Sequence, residues 1–266
     1  MKLHDEQALF GRHPVLELLR AESRRIEEIA IAASGRTPAL QELLALARSR
    51  GVKVSFRTRE QLTAMAGTPH HQGVVARVAT ATYADLSDLL AVAAERAEPM
   101  FLLALDRVQD PRNLGAVLRS ADATGAHGLI LSRHQSAGLT PSAAKAATGA
   151  TEWVQVARVA NLVQSLEALK KEGVWIIGTT PHGGLSPWTA DLCVPLCLVF
   201  GGEGGGLRSL VASTCDLLLT LPMKGRLDSL NVAAVAAVLC YEVLRQRTGE
   251  ARPGPGEGGS PRKTLT

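Results

Sequence analysis

The sequence predicts an α/β protein in two parts: a small α/β unit over residues 1–80 and a larger parallel-sheet unit over 99–248. Three observations carry that expectation. Short, fully apolar runs such as Met100–Leu105 and Val194–Phe200 read as buried strands. Helical patterns separate such runs at the spacing of βαβ units, which implies a parallel sheet. The run Val194–Phe200 leads directly into Gly201–Gly206, a stretch whose only side chain belongs to Glu203. Bare backbone lets a ligand approach main-chain N–H groups closely, and open α/β sheets bind ligands at strand ends.

Within the first part, Arg12–Leu19 reads as a helix with Pro14 near its first turn. Glu28–Ala33 is a short strand. Pro38–Arg50 has helical periodicity in Leu40, Leu43, Leu44 and Ala47, and stops at Gly51. Val52–Phe56 alternates as a half-buried strand does. A short helix over Thr58–Ala66, a polar turn over Thr68–Gly73 and a strand over Val74–Ala79 complete the unit. His70 and His71 in that turn are open to two readings, RNA contact or plain polar turn.

Thr80–Asp85 reads as a linker, and Leu86 to about Ala97 as a helix, so 81–98 joins the two parts. The strand Met100–Leu105 runs into a polar loop, Asp106–Gly115, inside which Pro111 starts a helix reaching Gly125. Then follow a strand at Leu129–Leu131, a helix over Thr140–Ala147, a strand over Trp153–Val156, a helix over Asn161–Lys171 capped by Asn161, and a strand over Val174–Gly178. A Gly/Pro-rich loop, Thr179–Pro187, precedes Val194–Phe200. After the glycine run come a strand at Leu217–Leu221, a Pro-Met-Lys-Gly turn, a polar Asp-Ser cap and a last helix, Ser229–Thr248. Residues 249–266 are rich in Gly and Pro and read as a disordered tail.

Composition narrows the function classes. The longest apolar runs fall far short of the ~20 residues of a membrane span, and the start has no signal-peptide core, so a cytoplasmic protein is expected. Residues 1–80 carry 12 Lys+Arg against 8 Asp+Glu, which equals the net +4 of the whole chain. A basic first unit suggests a polyanionic partner. Aromatic content of 3% argues against base stacking as the main binding mode. Cys193, Cys197, Cys215 and Cys240 lack the spacing of a zinc site and read as buried free thiols. No metal is expected.

The common nucleotide and hydrolase signatures are absent. Glu203 and Leu207 break any Gly-x-Gly-x-x-Gly spacing, and neither a P-loop nor a Gly-x-Ser-x-Gly elbow occurs. What remains is a polar set at strand-end loops: Asn113, Arg119, Glu203, Ser229 and Asn231. That set can position a ligand and stabilise charge without naming a reaction. Each member also has a bland reading. Asn113 and Ser229 could cap helices, Arg119 could form a surface salt bridge, and Lys224 and Arg226 could simply face solvent.

Asn113-Leu-Gly-Ala-Val-Leu-Arg119-Ser-Ala-Asp-Ala-Thr-Gly125 resembles the first motif of the SpoU (TrmH-type) RNA ribose 2′-O-methyltransferases. Phe200-Gly-Gly-Glu-Gly-Gly-Gly-Leu207 resembles the second, and Leu221-Pro-Met through Ser229-Leu-Asn231 the third. Outside the motifs, Gly11–Leu19 and His71-Gln-Gly-Val74 are similar to the small substrate-binding domain of one branch. Gly138-Leu-Thr-Pro, Lys145 and Gly149-Ala-Thr-Glu152 are similar to that branch's intermotif segment. The resemblance covers roughly residues 8–247.

The resemblance implies a SPOUT-type trefoil knot, an exception to the rule that chains do not thread loops. It further implies S-adenosyl-L-methionine as cofactor, contacted at Gly201, Leu221 and Leu230 mostly through backbone. The partners implied are a second copy of the chain, in an obligate homodimer, and RNA, most specifically a guanosine of 23S rRNA. Methyl transfer to a ribose 2′-oxygen would use Arg119, with Asn113, Glu203, Ser229 and Asn231 orienting Arg119, cofactor and ribose. Gly202 and Gly205 replace the Ala, Ser or polar residues common in relatives, which is expected to loosen the glycine loop modestly. Two alternatives stay open at this point: a non-catalytic RNA-binding assembly factor on the same fold, and a tRNA ribose methyltransferase.

Overall fold

The computed structural model describes residues 6–33, 38–227 and 229–249. Its first sheet contains β1 (Glu6–Phe10), β2 (Ile26–Ala32), β3 (Lys53–Arg57) and β4 (Val74–Ala79), in the order β1-β4-β2-β3. β2 and β3 are parallel, whereas β4 is antiparallel to both β1 and β2. Strand alternation divides the sheet into two apolar faces. Leu9, Ile29, Ile31, Ala76 and Val78 pack with residues of α1 (Arg12–Ala21) and α2 (Pro38–Ser49). Phe10, Ala30 and Val75 pack with Leu62 of α3 (Arg59–Ala66). α3 opens on a capping box, with Gln61 N donating to Thr58 Oγ1 at 3.3 Å and Thr58 N donating to Gln61 Oε1 at 3.0 Å.

The second sheet is parallel throughout. It contains β5 (Phe101–Asp106), β6 (Gly128–Ser132), β7 (Val156–Val159), β8 (Trp175–Thr179), β9 (Leu196–Gly201) and β10 (Leu217–Leu219), in the order β10-β8-β9-β5-β6-β7. The chain builds outward from β5 to β7, then returns to the far side of β5. The sheet therefore reverses direction beside β5 and β9, which is where ligands bind in such folds. Both strands are buried almost end to end because both faces are covered. On one face lie α5 (Pro111–Ala123), α6 (Pro141–Ala147) and α9 (Val232–Arg247); on the other lie α4 (Leu86–Arg96), α7 (Leu162–Lys171) and α8 (Ser209–Thr214).

Several local expectations change. β1 and α8 are absent from the sequence reading: Glu6–Phe10 neither alternates nor is apolar throughout, and α8 spans under two turns. Trp153 does not start a strand: it closes a 3₁₀ turn, Ala150–Glu152, and β7 begins at Val156. The last helix starts at Val232, with Asn231 as its N-cap instead of Ser229. Asp110, not Asn113, caps α5, accepting from Arg112 N at 2.8 Å. Cys193 is exposed and Cys215 half-buried, so only Cys197 and Cys240 are the buried thiols expected. His71 is buried, whereas His70 remains exposed. Of the expected tail, all but Gly249 lies outside the described residues, as does Asp228 of the expected cap.

One side chain ties the end of α9 to the sheet. The Arg247 guanidinium donates to the carbonyls of Pro99 (2.7 Å), Met100 (2.9 Å), Val194 (2.8 Å) and Leu192 (3.3 Å), and lies over the Phe101 ring. These carbonyls precede β5 and β9, so Arg247 satisfies backbone groups at the start of both central strands. Arg247→Ala is expected to lower stability by about 2–4 kcal/mol, measured by denaturant unfolding. An unchanged midpoint would show that water replaces the guanidinium at no cost.

Two buried histidines have fixed tautomers. His127 Nδ1 accepts from Phe101 N at 2.9 Å, so its proton sits on Nε2, facing Glu98 at 3.2 Å. His71 Nδ1 accepts from Gly73 N at 3.0 Å, so its Nε2 faces Thr63 Oγ1. Burial is the largest influence on both and holds them below the ordinary 6.5. The unfolded chain therefore takes up protons first as pH falls. Their stabilising effect is complete above about pH 6.5 and is lost as pH drops through the folded values. The Tm should fall on acidification from about pH 7.5 to about pH 5.5, and His127→Gln should flatten that slope.

Candidate active site

The C-terminal ends of β5, β8, β9 and β10 open on one side of the sheet, because the strands are parallel. Asp106, the last residue of β5, pairs in register with Gly201, the last of β9. Between these ends and the start of α9 lies a cavity of about 690 Å³. Its walls come from Thr179–His182, Phe200–Gly206, Leu219, Leu221, Met223, Ser229–Val232, Val235 and Leu239. Leu221, Met223 and Leu230 supply apolar surface, and the glycine loop supplies main-chain polar groups. The cavity suits a ligand with an apolar, flat part and a polar part.

The glycine loop is a tight fold. Gly206 N donates to Gly202 O at 3.2 Å, and Gly204 and Gly206 have φ of +80° and +60°, where glycine carries no penalty. A Cβ on Gly201 would lie 2.1 Å from Gly206 C and 2.3 Å from Leu207 N. A Cβ on Gly202 would lie 2.3 Å from Arg107 O. The expectation of a loosened loop is therefore corrected at Gly202, where the Arg107 carbonyl occupies the space a side chain would take. At Gly205 the nearest atom to such a Cβ is 3.8 Å away, so that position is open.

Glu203, Asn113 and Asn231 meet at the pocket wall, although 90 and 118 residues separate Asn113 from its two partners. Asn113 Nδ2 donates to Glu203 Oε1. Asn231 Nδ2 donates to Asn113 Oδ1 at 3.0 Å and lies 3.4 Å from Glu203 Oε1. Asn231 Oδ1 accepts from Ala233 N at 2.9 Å, so α9's own cap fixes the amide orientation. Asn113 is buried, so its amide needs these partners. Gly201, Leu221, Ser229 and Leu230 line the same cavity. Lys224 and Arg226 are exposed.

Arg119 stands apart from this group. It is exposed on α5 and lines a second cavity with Glu17, Trp153, Ala233, Ala237 and Tyr241. Asn113 and Arg119 are six residues apart, about 240° around the helix, so one side chain cannot join the other at the same wall. Trp153 and Tyr241, which share this cavity with Arg119, are 48% and 55% exposed, and Val238 of α9 is 38% exposed.

The sequence reading missed one anchor. Asp106 is fully buried, and its carboxylate accepts from Arg208 N at 3.0 Å and Arg208 Nε at 2.8 Å. It clamps the far end of the glycine loop to β5. The available signal was an acid ending a fully apolar run. Burial pushes the Cys240 thiol up to about 12 and Cys215 up to about 11, so neither is a nucleophile near neutral pH. Among the described residues no three His, Cys, Asp or Glu side chains cluster as metal ligands, and no helix is long and apolar enough to cross a membrane.

Comparison with known proteins adds independent information. Residues 100–241 match the model of the SpoU rRNA Methylase family, and residues 8–84 match that of an RNA 2′-O ribose methyltransferase substrate-binding domain. A 23S rRNA (guanosine-2′-O-)-methyltransferase RlmB of Ralstonia nicotianae is 42% identical over 240 residues, spanning 90% of this chain and 96% of the relative. The SpoU methyltransferase AviRb of Streptomyces viridochromogenes, solved in complex with AdoMet, aligns with TM-score 0.76 at 25% identity over 92% of this chain and 91% of that one. An AdoMet-bound rRNA methyltransferase of Sinorhizobium meliloti aligns with TM-score 0.74 at 26% identity, covering 91% and 87% of the two chains.

Proposed function

This chain belongs to the SpoU rRNA Methylase family, and from that premise we propose that it is an S-adenosyl-L-methionine-dependent 23S rRNA guanosine 2′-O-methyltransferase. The observation that carries the reading is the Asn113–Glu203–Asn231 network at the wall of a strand-end cavity. A non-catalytic scaffold has no need of a carboxylate held by two amides beside a pocket. Residues 1–80 serve as the RNA-binding part, 81–98 as the connection and 99–248 as the transferase part.

The residues present fit the cofactor. Gly201, Leu221 and Leu230 would hold it, mostly through backbone, with Met223 adding apolar surface to the same cavity. When bound, S-adenosyl-L-methionine supplies a methyl group activated on a sulfonium sulfur. Glu203, held by Asn113 and Asn231 at the cavity wall, would offer that cation a carboxylate. Ser229 and Asn231 orient the ribose edge of the site. Arg119 orients an RNA phosphate and stabilises negative charge developing on the attacking 2′-oxygen. It acts there by charge and orientation, not as a general base. No metal takes part in this reading, and the protein acts in the cytoplasm.

Arg119 and the cofactor cavity lie on different faces of one chain, which supports a homodimer. Pairing through the α5–α9 face would cover Val238 and Tyr241 and carry Arg119 toward the site of the second copy. The knotted threading implied by the family motifs belongs to the same reading. It is supported by Leu221, Met223, Ser229, Leu230 and Asn231, which line one cavity with the glycine loop.

The test is transfer from labelled cofactor to 23S rRNA, with 2′-O-methylation mapped by nucleotide. One methylated guanosine is expected. Methylation of tRNA alone would move the substrate assignment, and cofactor binding without any RNA methylation would overturn the enzyme assignment. Glu203→Gln keeps the shape and removes the charge. It should lower kcat about 10- to 100-fold with the Asn113 contact retained.

A further inference from the structure

The motifs that the active site leaves unused converge on one place. Gly149, Glu152, Lys145 and Gly138 lie in the segment between β6 and β7 of the transferase part. All four meet residues of the N-terminal part or of the connection. Arg24 and Glu152 form an ion pair whose side chains are only 7% and 1% exposed. Arg24 Nε donates to Glu152 Oε2 at 3.0 Å, Ser23 Oγ donates to the same oxygen, and Thr151 Oγ1 donates to Oε1 at 2.9 Å. Lys145 Nζ donates to His70 O and lies 5.0 Å from the centre of the Phe10 ring. Trp153 Nε1 donates to Glu17 Oε2 at 3.0 Å.

The packing is as close as the polar contacts. Gly149 has φ +104°, and a Cβ there would lie 2.4 Å from Glu17 Cγ. Ala144 of α6 is buried in the same cluster as Leu9, Val15 and Leu18 of the N-terminal part. The connection is pinned too. Leu139 N donates to Tyr83 Oη at 2.9 Å, Ala84 N donates to Val156 O at 2.9 Å, and the Arg158 guanidinium covers the Tyr83 ring. Residues 80–85 are thus not a free tether. The cavity containing Arg119 has Glu17 of α1 on one wall and Gly149 and Trp153 on another, so it lies at the seam.

We propose that Glu152 is a positioning residue for the reaction: by closing the buried pair with Arg24, it holds the RNA-binding part in one register on the transferase part, with Arg119 at the seam. A misdocked arrangement would leave a buried charge without its partner, so the pair selects one register over its neighbours. RNA gripped by the N-terminal part then meets Arg119 at a set distance, and that distance selects the nucleotide presented. The inference rests on the methyltransferase reading above.

Three kinetic comparisons and one scattering measurement test it. Glu152→Ala should raise the KM for 23S rRNA about tenfold or more, with kcat within about threefold and cofactor affinity unchanged. Arg24→Lys, which keeps the charge but not the two-pronged geometry, should fall between it and the parent. In a Cys193→Ser background, Ser23→Cys with Glu152→Cys should show the raised KM while reduced. Bridging the two thiols with a short bifunctional reagent should restore KM to within about twofold of the parent. A parental KM for Glu152→Ala, or a bridged protein without rescue, would overturn the proposal. If Glu152→Ala fails to fold, Lys145→Ala and the bridged pair carry the same comparison. Solution scattering separates the two readings: an expanded Glu152→Ala beside a compact parent supports docking even if the parent methylates no RNA, and equal dimensions refute it.

Discussion

Replacing Arg119 with Ala will abolish methyl transfer, lowering kcat by about three orders of magnitude, while cofactor affinity stays within about twofold. The separation follows from geometry. Arg119 lines a cavity with Glu17, Trp153 and Tyr241, whereas the cofactor cavity is walled by the glycine loop, Leu221 and Leu230. Removing the guanidinium leaves every wall of the cofactor cavity in place. In the proposed mechanism, what disappears is the positive charge that orients the RNA phosphate and stabilises the developing oxyanion. Lys restores charge without the fork geometry, so Arg119→Lys should recover only a small part of the rate. Mixing inactive Arg119→Ala and Glu203→Ala subunits checks where Arg119 acts. If each site draws Arg119 from the second copy, random reassociation gives one intact site in half of the dimers, about a quarter of parental activity. No recovery would place Arg119 and Glu203 of the same chain in one site.

The second large effect is expected at Gly201. Gly201→Ala should raise the cofactor Kd at least ~100-fold, about 2.7 kcal/mol by the affinity relation. The added methyl would meet Gly206 C at 2.1 Å and Leu207 N at 2.3 Å. Both are backbone atoms in a loop already clamped by Asp106 to Arg208, so neither can swing aside as a side-chain end would. The loop must open, which displaces Glu203 from Asn113 and Asn231. Gly205→Ala is the control. The nearest atom there is Arg107 Nη2 at 3.8 Å, and cofactor affinity should remain within about threefold. Calorimetry with S-adenosyl-L-methionine reads both variants. Equal affinities would show that loop backbone does not shape the cofactor site.

The alternation of buried strands and helices was legible because parallel strands covered on both faces read as unbroken apolar runs, and Leu102–Leu105 and Leu196–Phe200 are such runs. The glycine loop was legible because a glycine run has few structural uses. β1 and α8 were not: Glu6–Phe10 shows neither alternation nor an unbroken apolar run, and six residues give α8 under two turns. The cap of α9 moved from Ser229 to Asn231 because Ser and Asn both cap well, and only the bond from Ala233 N decides between them.

The sequence by itself determined the family and the two-part plan and offered the candidate members of the site, because motif identity and strand periodicity are local properties of the chain. Tertiary structure alone decided which members meet. Asn113, Glu203 and Asn231 touch because the sheet order brings the ends of β5 and β9 together beside α9, and sheet order is not encoded in any one segment. The same placement sets Arg119 on another face of α5, since helix geometry turns a six-residue interval away from the pocket. The Arg24–Glu152 pair joins residues 128 apart, and its two charges are buried only because the two parts close over them.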